Sequence, residues 1–213
     1  MSLHLLSQPF AKILLTRLRD KRTDCGEFRK TLDELSLMLA MEATKFLETY
    51  EKQIDTPLEP TSGTFFKGTT VLVPIMRAGS GMLPAFQKVL PESFTWHLTM
   101  SRDEKTLQPI FKSSTIPSNR MDETSEPIDV GFVLDPMLAT GGSASLAIEM
   151  LKKARVTEIV FVGILGAPEG FMHLWREHPE VAVLLAGNDR ELNERGFILP
   201  GLGDAGDRLF PTH

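Results

Sequence analysis

The residues with the clearest chemical content stand in "VLDPMLATGGSA", residues 133–144, where one carboxylate, Asp135, closes an apolar run and a threonine, two glycines and a serine follow. Thr140, Gly141 and Gly142 let the backbone fold closely around an anion, Ser143 is placed to cap the helix that begins there, and a helix N-terminus adds unpaired N–H donors. A phosphate fits such a cradle. A tight Gly-Gly turn with a serine cap also serves as a plain strand-to-helix connection, and both readings stand at this point. It is not a Walker loop, because the lysine and the spacing of G-x-x-x-x-G-K-[ST] are absent.

Three further stretches carry candidate groups. In "VPIMRAGSGM", residues 73–82, Arg77 lies between an apolar run and two glycines. An arginine there either holds a phosphate bidentately or is solvated beside a helix start. "SRDEKT", residues 101–106, supplies Arg102, whose alternative is a plain exposed charge. The tail "FILPGLGDAGDRLF", residues 197–210, places three glycines around Asp204 and Asp207 where chains usually fray. It reads as either a structural loop or a fixed shape whose backbone groups face a small planar ligand, with Asp204 suited to a hydroxyl, a metal or a base edge.

These loops need a scaffold. Residues 27–50 lack proline and glycine, and Leu32, Leu35, Leu39, Ala43 and Phe46 recur at steps of three and four, predicting one long amphipathic helix. "DTPLEPTSG", residues 55–63, breaks it, and "TTVLVPI", residues 69–75, reads as a first buried strand. Residues 82–90 are helix-like. Residues 112–127 are polar and without periodicity, predicting a long mobile loop. Beyond it the pattern alternates: "VGFVLDP" as strand, 143–153 as helix with Leu146, Ala147, Met150 and Leu151 on one face, "EIVFVGILGA" as strand, 168–178 as helix, and "VAVLLAG" as strand. Continuous apolar strands alternating with helices imply an α/β fold with a mostly parallel sheet covered on both faces, whose ligands bind beyond the carboxyl ends of the strands.

Bulk composition narrows the classes. With 213 residues, 42% of them apolar, the chain suits a single domain spanning 1–213. Its 23 basic and 28 acidic side chains, 23 − 28 = −5, give no general reason to expect nucleic acid or a membrane surface, so any anion is held locally. The lone Cys25, read as a small residue at a turn, allows no internal disulfide and fits a reducing, cytoplasmic setting. No secretory signal is legible in residues 1–22. The longest apolar run, residues 159–167, is less than half of the roughly 20 residues a bilayer span needs.

Together these stretches resemble the uracil phosphoribosyltransferases, of type I phosphoribosyltransferase fold. "LTRLRDKRTDCGEFRKTLDELSLMLAMEAT" is similar to that family's N-terminal arm and helix, "VPIMRAGSGM" to its first glycine loop, "SRDEKTLQP" to its arginine loop, "LDPMLATGGSA" to its sugar-phosphate loop and "GFILPGLGDAGDRLF" to its base-binding tail. The resemblance implies a central, mostly parallel sheet flanked by helices, with a small base-binding hood from the chain termini. It implies transfer of ribose 5-phosphate from phosphoribosyl pyrophosphate (PRPP) to N1 of uracil, giving UMP and pyrophosphate in pyrimidine salvage. On this sequence, Asp135, Pro136, Met137, Leu138, Ala139, Thr140, Gly141, Gly142, Ser143 and Asp204 would bind PRPP, with Asp135 facing the ribose hydroxyls and Thr140 to Ser143 the 5-phosphate. Arg77 and Arg102 would hold pyrophosphate. Ile198, Gly203, Asp204 and Ala205 would read uracil, and Arg77, Arg102, Asp135 and Asp204 form the catalytic set. The solitary acid Asp135, preceded by Leu134, implies that Mg²⁺ comes mainly with PRPP, with Asp204 nearby and no protein metal cage. The resemblance further implies a homodimer or higher homo-oligomer, with GTP as a candidate effector.

The chain departs from the family in places. "PIFKSS" replaces its tyrosine-bearing stretch, residues 102–135 are longer than usual, and Phe197 stands where tyrosine is usual. Asn188 replaces an apolar residue, and "MRAGSG" differs from "LRAGLG". Two rival readings remain at this stage. One is a PRPP- or nucleotide-responsive regulator on the same fold, for which "RLRDKR", residues 17–22, is the one basic stretch. The other is an enzyme for another base, such as a purine, which the specific tail disfavours.

Overall fold

The computed structural model describes residues 2–103, 106, 109–121 and 124–211, the side chains of Arg102 and Met121 excepted. The chain begins with a short strand β1 (Leu3–Leu5) and two helices, α1 (Pro9–Arg19) and α2 (Cys25–Ala43). Asp24 caps α2, its Oδ1 accepting the Glu27 N–H at 2.9 Å. The helix predicted over 27–50 is shorter than expected. It ends at Ala43, passes through a 3₁₀ turn (Thr44–Phe46), and Thr49 and Tyr50 already belong to an antiparallel hairpin of β2 (Thr49–Asp55) and β3 (Pro60–Phe66). Every one of the seven residues of β2 is exposed, so no packing enforces helix there and the β-branched and aromatic residues pair instead.

The sheet proper uses β4 (Thr70–Met76), followed by α3 (Leu83–Val89) and β5 (Phe94–Thr95), then β6 (Leu98–Arg102), β7 (Pro109–Ser114), β8 (Ile128–Leu134) and β9 (Met137–Leu138). After α4 (Gly142–Lys153) come β10 (Val156–Gly166), α5 (Pro168–Glu177), β11 (Ala182–Asn188), a two-stranded ribbon of β12 (Glu191–Leu192) and β13 (Ile198–Leu199), and α6 (Ala205–Leu209). The strand order is β1-β11-β10-β8-β4-β6-β7, parallel except for the edge pair β6–β7.

Alternate residues along each strand enter two separate cores. Leu72, Phe132, Val162 and Leu184 pack with α1, α2 and α3 on one face. Val73, Val133, Phe161 and Val183 pack with α4 and α5 on the other. Burial on both faces explains why these strands read as unbroken apolar runs. On α4 the buried stripe is Ala144, Ala147, Ile148 and Leu151, with the expected Leu146 and Met150 at its flanks.

The loop predicted over 112–127 is largely built. Residues 112–114 complete β7 on β6, Ile116 is buried, and a 3₁₀ turn spans Ser118–Met121. Antiparallel pairing satisfies the backbone of a stretch whose side chains give no periodic signal. Among the described residues no helix is long and apolar enough to cross a membrane.

Candidate functional site

The chain leaves β4 toward one face of the sheet through α3 and leaves the adjacent β8 toward the other through α4. At such a switch point the loops part beyond the strand ends and leave a crevice. Here the crevice is a cavity of about 780 Å³, within the range of small-molecule sites.

One wall comes from the loop after β8. Asp135, Met137, Leu138, Ala139, Thr140, Gly141 and Ser143 line it, whereas Pro136 and Gly142 belong to the loop without lining the cavity. Ser143 is not the helix cap expected from sequence. Gly141 occupies that position at φ +84°, the left-handed region open to glycine, and no side chain among the described residues caps α4. The first-turn N–H groups of α4 therefore retain their positive end for an anion. A Cβ on Gly142 would stand 2.9 Å from Pro109 Cδ, which shows how closely the start of β7 covers this loop.

The opposite wall is the C-terminal tail, through Ile198, Gly203, Asp204, Ala205 and Gly206. Asp204 caps α6, its Oδ1 accepting the Asp207 N–H at 3.0 Å. The β12–β13 turn closes the end of the cavity with Glu194, Arg195 and Phe197. Phe197 was marked in the sequence by its departure from tyrosine. Glu194 and Arg195 were not singled out, although a charged tip between two short strands was the available signal.

Asp135 is the most perturbed acid. Burial pushes its carboxyl up to about 7, the charge of Asp204 adds to the rise, and the Met137 N–H, donating to Oδ1 at 3.3 Å, opposes it. Strongly shifted carboxyls in a cleft are characteristic of functional sites.

Of the two candidate arginines, Arg77 follows a cis peptide at the end of β4 and stands at the rim. Its Nη2 donates to Asp207 Oδ1 at 3.0 Å and its Nη1 to the Phe210 carbonyl at 3.5 Å, so it touches the tail rather than lining the cavity. Arg102 ends β6, with its backbone paired to Pro109; its side chain lies outside the described residues. Among the described residues no three His, Cys, Asp or Glu side chains group as a metal cage.

The model of the family described as uracil phosphoribosyltransferase matches residues 5–212. A uracil phosphoribosyltransferase of Salinibacter ruber is 47% identical over 207 residues, 97% of this chain and 96% of that protein. One of Acholeplasma laidlawii is 42% identical over 97% of both chains. A solved structure from Aquifex aeolicus, 33% identical, superposes with a TM-score of 0.90 over 99% of this chain and 98% of its own.

Proposed function

The chain belongs to the uracil phosphoribosyltransferase family, and from that membership we propose that its cavity transfers ribose 5-phosphate from PRPP to N1 of uracil, giving UMP and pyrophosphate. The observation that carries the proposal is the pairing of an uncapped helix start, Gly141 to Ser143, with a backbone-rich glycine tail, Gly203 to Gly206, across one cavity.

The N–H groups opening α4, with the Thr140 and Ser143 hydroxyls, bind the 5-phosphate, and the chain from Asp135 through Pro136, Met137, Leu138 and Ala139 follows the ribose. Asp135 faces the ribose hydroxyls. Arg77 and Arg102 take the pyrophosphate. Ile198, Gly203, Asp204 and Ala205 read the uracil edge, mostly through backbone groups, which makes Phe197 in place of a tyrosine tolerable.

In the reaction the bond from the anomeric carbon to pyrophosphate oxygen breaks with its electron pair leaving on pyrophosphate, a bond to uracil N1 forms, and the N1 proton passes to the departing pyrophosphate or to solvent. Positive charge develops on the ribose and negative charge on the leaving group, as in glycoside cleavage. Asp204 and, once ionised above about pH 7, Asp135 favour the sugar cation, and the arginines favour the departing pyrophosphate. Asp135 and Asp204 on the cavity wall fit a Mg²⁺ ion that comes with PRPP, since this ion commonly takes one or two carboxylates plus substrate phosphates. Bound with PRPP near Asp204, it would neutralise charge on the leaving group.

The hairpin supports a homo-oligomer. Tyr50, Ile54 and Phe65 share one exposed face, with Tyr50 and Phe65 rings 5.8 Å apart, while Glu51, Ser62 and Thr64 hydrogen bond together on the other. A lone two-stranded hairpin is marginal in water, so an amphipathic one standing off its own domain fits burial of the apolar face against a second copy. A cytoplasmic setting fits the free Cys25 thiol.

Incubating the protein with PRPP, Mg²⁺ and each nucleobase separately tests the assignment. UMP from uracil, with no nucleotide from adenine, guanine or hypoxanthine, is expected; a purine nucleotide in place of UMP refutes it.

A further inference from the structure

The tail that reads the base contains Gly201 at φ +64° and Gly203 at φ +81°, glycines that by themselves leave the direction of the backbone groups open. Two arginines supply the restraint, Arg19 from the N-terminal end of the chain and Arg208 from within the tail. Arg19, the last residue of α1, forms a two-pronged ion pair with Asp189, Nη2 to Oδ1 at 2.5 Å and Nη1 to Oδ2 at 2.7 Å. Nη1 also donates to the Gly201 carbonyl at 2.9 Å, and Asp189 Oδ2 accepts the Gly201 N–H at 2.9 Å. One ion pair thus holds both backbone groups of Gly201, and the Asp189 side chain is only 5% exposed.

Arg208 holds the carbonyl of the next residue. Its Nη1 donates to the Leu202 carbonyl at 2.9 Å and to the Leu18 carbonyl, and its Nη2 to the carbonyls of Asp20 at 2.9 Å and Thr23 at 3.3 Å. All four terminal N–H bonds reach backbone, and the guanidinium lies 4.2 Å from the centre of the Phe28 ring. Burial pulls the Arg208 pKa down while Asp20 opposes it, as expected for a cation held by neutral carbonyls in place of a carboxylate. The α1–α2 corner is thereby tied to Leu202, and the next two residues, Gly203 and Asp204, are left exposed on the cavity wall.

We propose that Arg19 and Arg208 are positioning residues for base recognition, acting through Gly201 and Leu202 to hold the uracil-reading backbone at its working spacing. The inference rests on the uracil assignment above. A tie that served stability alone would not distinguish the two substrates. A tie that sets the spacing of the tail bears most on uracil, because the 5-phosphate loop is carried by β8 and α4, which neither arginine touches, and the tail reaches PRPP only through Asp204 and the exposed Arg77–Asp207 pair.

The test compares Arg19→Met, Arg208→Met and Arg208→Lys in the full chain, varying uracil and PRPP separately. The Met variants keep the apolar stem and lose the donors. They are expected to raise KM for uracil about tenfold, inside the roughly hundredfold that a misplacement of about 1 Å can produce. KM for PRPP should stay within about twofold, and Arg208→Lys should recover part of the loss because it keeps the charge and some donors. Hydrogen exchange of the ligand-free proteins gives a readout independent of activity. Amides of residues 198–206 should exchange faster in the Met variants, and those of β8 and β10 at the wild-type rate. Equal rises in both KM values, or unchanged exchange in the tail, overturn the proposal. If the wild-type protein makes no UMP, the base assignment fails by itself and the exchange data still decide whether the arginines position the tail.

Discussion

Arg77 Nη2 donates to Asp207 Oδ1 across 3.0 Å, joining the first glycine loop to the short C-terminal helix at the rim of the cavity. The guanidinium proposed to take pyrophosphate is therefore engaged by the tail before substrate arrives, and PRPP must exchange for it.

Both partners are about half exposed or more, so the pair contributes at most about 1 kcal/mol to stability. Asp207→Asn should shift Tm by less than about 4 °C in a chain of this size. Freed of its competitor, Arg77 should bind PRPP up to about fivefold more tightly, the ratio that about 1 kcal/mol allows. Arg77→Ala should lower kcat/KM about 100- to 1000-fold, as for loss of one preorganised donor. Titration calorimetry with PRPP checks the first variant; weaker binding by Asp207→Asn would show that Asp207 orients Arg77 instead of competing for it.

Asp135 gives stability a pH dependence of definite sign. Its folded-state pKa of about 7 stands above the ordinary value of 3.8, so the folded protein binds this proton more tightly than the unfolded chain. The group favours folding fully below about pH 4, and that contribution is lost as pH rises through about 7. Asp135→Asn removes the titration. The variant should gain Tm relative to wild type at pH 8 and show no such gain near pH 4, while losing transferase activity at pH 8, where Asp135 is ionised. Thermal melts across that range are the check, and a constant difference in Tm contradicts the assignment.

Gly141→Ala should damage the phosphate end of the cavity. A side chain at φ +84° costs about 1–2 kcal/mol, and its Cβ would stand 2.9 Å from the Gly170 carbonyl oxygen. A Tm lower by about 3–8 °C is expected, together with PRPP binding weakened about tenfold or more, as when a preorganised contact is misplaced. Wild-type PRPP affinity in a destabilised variant would show that the loop does not hold the phosphate.

The double variant Ile54→Ser with Phe65→Ser removes apolar surface from the open face of the hairpin. Sedimentation should report an assembly of several chains for wild type and a species near the 23.7 kDa of one chain for the variant. A wild-type protein sedimenting as one chain, or a variant that still assembles, removes the hairpin from the interface.

The parallel sheet was legible in the sequence because strands buried on both faces must be continuously apolar, as in β8 and β10. The hairpin was not, since Leu32 to Phe46 keep helical spacing and neither glycine nor proline marks the change at Thr49. The cavity wall from Asp135 to Ser143 was readable from local residue types. The cap was misassigned because Ser143 and Gly141 both suit a helix start and only the backbone φ decides. The tie from Arg19 to Asp189 had no local signal, since its partners stand 170 positions apart.

The central claim is that one cavity holds the sugar phosphate at the start of α4 and the base against the C-terminal tail, and a crystal structure with UMP bound tests it most directly. The account predicts the 5-phosphate on the N–H groups and hydroxyls of Thr140 to Ser143, with the uracil edge paired to backbone groups among Ile198, Gly203 and Ala205. A phosphate bound elsewhere, or a uracil ring turned away from that tail, would contradict it.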